Sequence, residues 1–165
     1  MMSMEELFKL LKECDISYEN YDHPAVFTCA ESEKIDIEIP GAHTKQLLMR
    51  DKKKRNYVLA VVMHDKTVDT KTLGDELGTG RLSFASPEDL KKFLNVTPGA
   101  VTPFGLMFDT DHTIKVIFDE DAWEVNKFRF HPLVNTATLV IDQDGFKKFL
   151  AETGHAFEVM KIPHT

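Results

Sequence analysis

The chain is poor in the residue that would most simply hold or power a small protein. It has two cysteines, Cys14 and Cys29, among 165 residues, and they do not form a CxxC pair. That excludes a disulfide framework and a cysteine-based metal knuckle. No apolar run approaches the roughly 18–20 residues that a membrane-spanning helix needs. The first dozen residues lack the basic-then-apolar layout of a secretory leader, so a cytoplasmic, membrane-free protein is expected. No GxSxG elbow, P-loop or GxGxxG fingerprint appears, which removes the common nucleophilic and nucleotide-binding machineries. The seven histidines form no HxxxH or Cys/His cluster, so neither a metal nor a cofactor is expected. Asp109, Asp111 and His112 lie between two apolar runs and read as a polar turn.

Positive charge is also short: 20 Lys and Arg stand against 27 Asp and Glu, a formal net charge of −7. A general DNA-binding surface is therefore excluded, because sequence-independent binding rests on a broadly basic face. The exception is local. Arg50, Lys52, Lys53, Lys54 and Arg55 fill five of six consecutive positions. They read either as a solvated hairpin turn or as a phosphate-contact patch on an acidic protein.

With 42% hydrophobic and 28% charged residues, the chain is ordinary for one globular domain over residues 1–165. Met4, Leu7, Phe8, Leu11 and Cys14 mark one face of a first helix. Residues 18–27 read as extended around His23-Pro24. Thr28 and Glu31 have capping-box spacing, which predicts a helix from Cys29 to about Lys34. Residues 46–50 and 57–63 predict a β-hairpin around the basic turn. Residues 69–77 predict a helix closed by Gly78, and Ser86-Pro87-Glu88-Asp89 opens another. A proline- and glycine-rich loop over 97–105 follows, then strands at 104–108, 114–118 and 136–141. A helix over 144–152 and a strand over 157–161 complete the reading. Strands and helices intersperse without regular βαβ alternation. The expected class is α+β, a single compact domain with a central mixed, mostly antiparallel sheet surrounded by helices.

Three segments carry candidate chemistry. Gly41-Ala42-His43-Thr44-Lys45-Gln46-Leu47 puts a lysine at the mouth of an apolar strand. Pro98-Gly99-Ala100-Val101-Thr102-Pro103 combines two φ-fixing prolines with a glycine that admits close backbone approach. Phe130-His131-Pro132-Leu133 sets a histidine among apolar neighbours, with Asn135-Thr136-Ala137-Thr138 just beyond. Read alone, each has an ordinary structural explanation: a surface lysine, a rigid turn, a packed histidine.

Together with residues 23–28 (His-Pro-Ala-Val-Phe-Thr), Thr44 to Asp51 and Gly80 to Pro87, these segments run in order along nearly the whole chain. In that arrangement the sequence resembles the YbaK/prolyl-tRNA synthetase-associated domain family, and within it the free-standing prolyl-tRNA editing proteins that act on alanyl-tRNA(Pro). The resemblance implies an aminoacyl-ester hydrolase that uses no metal, no cofactor and no covalent nucleophile. It places the family's functional lysine at Lys45, its GxxxP loop at Gly99 to Pro103, with Gly99 and Ala100 as backbone donors, and its pocket histidine at His131. Tyr21, Phe27, Thr44, Gln46, Val101, Thr102, Pro103, Ala137 and Thr138 are implied as substrate contacts. Gln46 departs from the asparagine usual after the lysine. The implied partner is the acceptor end of tRNA(Pro) carrying alanine, met by the basic residues 50 and 52–55, with prolyl-tRNA synthetase or an elongation factor as further candidates. Two other readings compete: a deacylase for cysteine, serine or threonine esters, and a non-catalytic domain that binds an amino acid or a tRNA end.

Overall fold

The computed structural model describes residues 2–24 and 39–165. Helix α1 (Met2–Glu13) forms where the three- and four-residue apolar spacing predicts it, burying Leu7 and Leu11 completely. Strands β2 (Thr44–Arg50) and β3 (Tyr57–Met63) form the expected antiparallel hairpin. Its turn is organised by buried Asp51, whose carboxylate accepts from the Arg55 and Asn56 amides and from the Asn56 side chain. These bonds hold the Asp51 carboxyl below its usual range.

Helix α2 (Thr70–Leu77) starts at Asp69, which caps the Thr72 amide, and stops at Gly78 in the left-handed conformation. Helix α3 (Pro87–Leu94) opens with a complete Ser86/Asp89 capping box and ends at left-handed Asn95. Short strand β4 (Ser83–Phe84) precedes it. Strand β5 (Ile114–Asp119), one-turn helix α4 (Glu120–Trp123), strands β6 (Lys127–Phe130) and β7 (Ala137–Asp142), helix α5 (Gln143–Thr153) and strand β8 (Phe157–Met160) complete the order.

Two differences from the sequence reading stand out. Residues 104–108, expected as a strand, belong to a 3-10 helix, Pro103–Phe108. Pro103 opens it, and a Cβ on Gly105 would fall 2.7 Å from Leu94, so this backbone is pressed against α3 rather than paired in a sheet. The single sheet is also divided. Five strands run in the order β4-β2-β3-β5-β8 and three in the order β1-β7-β6, where β1 is Glu19–Asp22. Among the described strand pairs, β3–β5 and β5–β8 are parallel and the other four antiparallel, so the mixed, mostly antiparallel character holds. The helix expected over 29–34 lies outside the described residues.

The two sheets meet at one parallel bridge, Ala42 with Phe128. Both side chains enter the main core. That core fills the space between the sheets with aromatic rings: Phe118, Phe128, Phe130 and Phe146 interlock, with Trp123 stacked on Phe128. A second core covers the outer face of the five-stranded sheet with Leu73, Leu82 and Ile162. Burying this much apolar surface at about 25 cal/mol per Å² supplies the main driving force for folding.

Candidate active site

Alternation along a strand decides which side chains can meet. On β6, Phe128 and Phe130 point into the aromatic core, so Arg129 and the following His131 lie on the opposite face. On β7, Leu139 and Ile141 are in the core, so Thr138 and Val140 share the face of His131. Tyr21 of β1 is paired with Thr138 and joins them. His23 continues β1, its amide donating to the Thr136 carbonyl.

A histidine pair results. The His23 and His131 rings meet edge to face, centroids 6.2 Å apart. Nδ1–H of His23 donates to the Pro24 carbonyl, which leaves Nε2 to accept from the Thr138 hydroxyl at 2.7 Å. Nδ1–H of His131 donates to the Ala137 carbonyl at 2.9 Å, leaving the Nε2 lone pair facing away from the backbone. Burial pushes the His131 pKa below the ordinary 6.5, outweighing the carbonyl bond that favours the cation. His131 is therefore a neutral acceptor at pH 7.

That shift has a stability consequence. The folded state takes up the His131 proton less readily than the unfolded chain, so the contribution is full above pH 6.5 and is lost as pH falls through the lower folded value. His131→Asn should shrink the drop in urea midpoint between pH 7 and pH 5. An identical drop in both proteins would remove His131 from the acid-sensitive groups.

Lys45 is likewise turned away from the main core. From Ala42, which enters the core, alternate residues Thr44, Gln46 and Leu48 turn inward, and Lys45 and Leu47 turn outward. The Ala42–Phe128 bridge ties the start of β2 to β6, and strand parity on each side turns Lys45 and His131 away from the main core. Lys45 is half-buried and has no hydrogen-bond or ion-pair partner among the described residues.

Thr44 and Gln46, expected to touch substrate, are turned the other way. The buried Gln46 amide donates to the Thr44 hydroxyl at 2.7 Å, and that hydroxyl donates to the Arg129 carbonyl at 3.0 Å. They brace the sheet junction from its core side. The longer amide at position 46 is thereby accommodated away from the Lys45 face.

The Gly99–Pro103 segment begins in a 3-10 turn, Pro98–Ala100, and one of its two expected donors is already used. The Ala100 amide already donates to the Thr97 carbonyl at 2.9 Å, closing a 3-10 turn, so it is not free to bind an oxyanion. Ala100, Thr102 and Pro103 are buried, and the Thr102 hydroxyl caps the Phe104 amide. The segment leads into the main core, where the Phe104 ring packs edge to face on Phe130, on the side of β6 opposite His131. Phe27 lies outside the described residues.

Two residues of this face escaped the sequence reading as site members. His23 was noticed only as part of a histidine-proline pair. Arg129 donates to the Ile39 and Pro40 carbonyls, fixing the chain that leads into β2, and burial lowers its pKa. Its spacing two residues before His131 was the available signal, once β6 is known to be a strand. Among the described residues, no three His, Cys, Asp or Glu side chains cluster as a metal site would, and no helix is long and apolar enough to cross a membrane. The polar turn at Asp109 is tied inward, its carboxylate accepting from the Thr113 and Ile114 amides and from His155.

Comparison with known proteins identifies the family. The prolyl-tRNA editing protein ProX of Acetoanaerobium sticklandii is 36% identical over 162 residues, covering 98% of this chain and 99% of that protein. The prolyl-tRNA synthetase associated domain-containing protein 1 of Mus musculus is 37% identical over 154 residues, covering 91% of this chain and 90% of its own. A crystal structure described as a candidate trans-editing enzyme for prolyl tRNA synthetase shares the fold, with a TM-score of 0.69 at 20% identity over 99% of this chain and 98% of that one. Residues 23–149, from the histidine that follows β1 into helix α5, match the aminoacyl-tRNA editing domain. The chain belongs to that family and is an aminoacyl-tRNA hydrolase.

Proposed function

We propose that the protein is a free-standing editing enzyme that hydrolyses the ester of alanine wrongly attached to tRNA(Pro), in the cytoplasm and without metal or cofactor. The observation that supports this reading is the His131 ring held against the hydrogen-bonded His23–Thr138 pair, which we place in one acyl-ester site with the half-buried Lys45, unpartnered among the described residues. It offers one cation and one neutral ring acceptor to a small acyl group. The names of the relatives, which specify prolyl-tRNA editing, support the choice of tRNA.

In the proposed reaction a water attacks the ester carbonyl, held between the neighbouring ribose hydroxyl and the Nε2 lone pair of His131. Negative charge develops on the carbonyl oxygen, where the Lys45 ammonium stabilises it. The carbon–oxygen bond to the ribose then breaks, the ribose oxygen takes a proton, and alanine leaves as the free amino acid. Thr138, His23 and the Ala137 carbonyl position the His131 ring, and Tyr21 bounds the acyl pocket, whereas the side chains of Ala137 and Val101, expected as substrate contacts, lie towards the core. The basic residues 50 and 52–55 lie at the far end of β2 and meet acceptor phosphates. A prolyl-tRNA synthetase or an elongation factor would hand the charged tRNA over.

Size provides the specificity. A synthetase pocket made for proline discriminates against alanine by only about 1–3 kcal/mol, because only missing methylenes distinguish them. A second, smaller pocket that admits alanine and sterically rejects the pyrrolidine ring corrects the error. The test is deacylation of alanyl-tRNA(Pro) against prolyl-tRNA(Pro), with cysteine-, serine- and threonine-charged tRNAs alongside. Rapid loss of alanine with proline spared is expected. Equal hydrolysis of alanyl and prolyl esters would refute the sieve, and preference for another amino acid would replace the substrate.

A further inference from the structure

Among the described residues, Phe84 is the most exposed large hydrophobic side chain, 59% accessible, and it sits on the two-residue edge strand β4. Neither core claims it. It is paired with Met49, and on β2 Met49 lies on the Lys45 side of the sheet. Four residues of strand separate Lys45 from Met49, about 13 Å at the usual rise. The neighbouring pair, Ser83 with Arg50, leads directly into the turn where Lys52, Lys53, Lys54 and Arg55 are all exposed. Arg81, also exposed, stands three residues before Phe84. An aromatic ring in water, bordered by five cations on a chain of net charge −7, is matched to a polyanion with unpaired bases.

We propose that Phe84 is a stacking platform for an unpaired base of the substrate's single-stranded 3′ end, while the basic turn holds the phosphates that follow. This deepens the reading of the Lys45 face as an aminoacyl-tRNA site and rests on it. The terminal ribose lies at Lys45 and the preceding unpaired nucleotides run along the outer edge of β2 towards Phe84. Stacking needs only a base's π-face, so the platform tolerates any sequence, whereas the turn supplies charge.

The test uses the full chain and two uncharged RNA hairpins with the same stem, one with a single-stranded 3′ overhang and one blunt, titrated by fluorescence anisotropy. The wild-type protein should prefer the overhang RNA. Stacking of one base on an aromatic side chain is worth about 1–3 kcal/mol, so Phe84→Ala should weaken the overhang complex roughly 5- to 150-fold and leave the blunt one unchanged. Phe84→Tyr should restore the preference and Phe84→Leu should not, since leucine keeps apolar area without a π-face. Unaltered affinity of Phe84→Ala for the overhang RNA overturns the proposal, and so does an equal loss on both RNAs. Neither RNA carries an ester, so this outcome is separate from whether the protein deacylates.

Discussion

Replacing Lys45 with alanine is expected to reduce alanyl-tRNA(Pro) deacylation by about 10²–10³-fold, the loss typical of removing one preorganised group from a developing oxyanion. The same variant should keep its melting temperature. Lys45 is half-buried and bonded to none of the described groups, so its removal strands no partner and opens no core cavity. Its backbone remains in the β2–β3 ladder opposite Val62. The two readouts must therefore separate, with turnover collapsing and stability holding. Turnover near the wild-type level would remove Lys45 from the reaction. A large fall in melting temperature would mean that it acts through the fold.

The opposite pattern is expected at Lys66. Its ammonium donates to Asp119 at 2.5 Å and to the Ile162 carbonyl at 2.8 Å, and Asp119 is completely buried. The second oxygen of Asp119 accepts from the Ile162 amide at 3.0 Å. Lys66→Ala leaves a buried carboxylate without its counter-ion, a change that costs about 3–5 kcal/mol. At roughly 2–4 °C per kcal/mol for a chain of this size, the melting temperature should fall by about 6–20 °C. Lys66→Met with Asp119→Leu should recover part of the loss, because an apolar pair removes the stranded charge as well as the bridge. A shift under about 2 °C for Lys66→Ala would show that the pair is screened by water.

Much of this architecture is legible in the amino acids, and the reasons are local. The hairpin around residues 51–56 announces itself through apolar runs on either side of five cations. Asp69, Ser86 and Gly78 declare helix ends because capping needs short polar side chains, or none. Strand β6 is hidden because four residues, Lys127 to Phe130, give only two alternations and carry two charges. The 104–108 run misleads because a short apolar stretch fits a strand or a buried 3-10 turn equally; its contact with Leu94, distant in sequence, decides. For the site, family resemblance supplied Lys45 and His131, and nothing in composition or periodicity would have joined them. Their two strands are tied through the Ala42–Phe128 bridge, which spans 86 residues and leaves no local trace. Thr44 and Gln46 turn to the core side of β2, a fact that follows from strand parity only when the core side of Ala42 is known.

The placement of β8 next to β5 has a consequence during synthesis. Until residues 157–162 have left the ribosome, β5 offers an open parallel edge, and the Asp119 carboxylate waits beside apolar strands without the Ile162 amide. A nascent chain in that state displays a ready template for unwanted pairing. Chaperone binding to the emerging protein should accordingly persist until that last segment docks, and ribosome-stalled chains ending before Phe157 should be the ones most readily trapped.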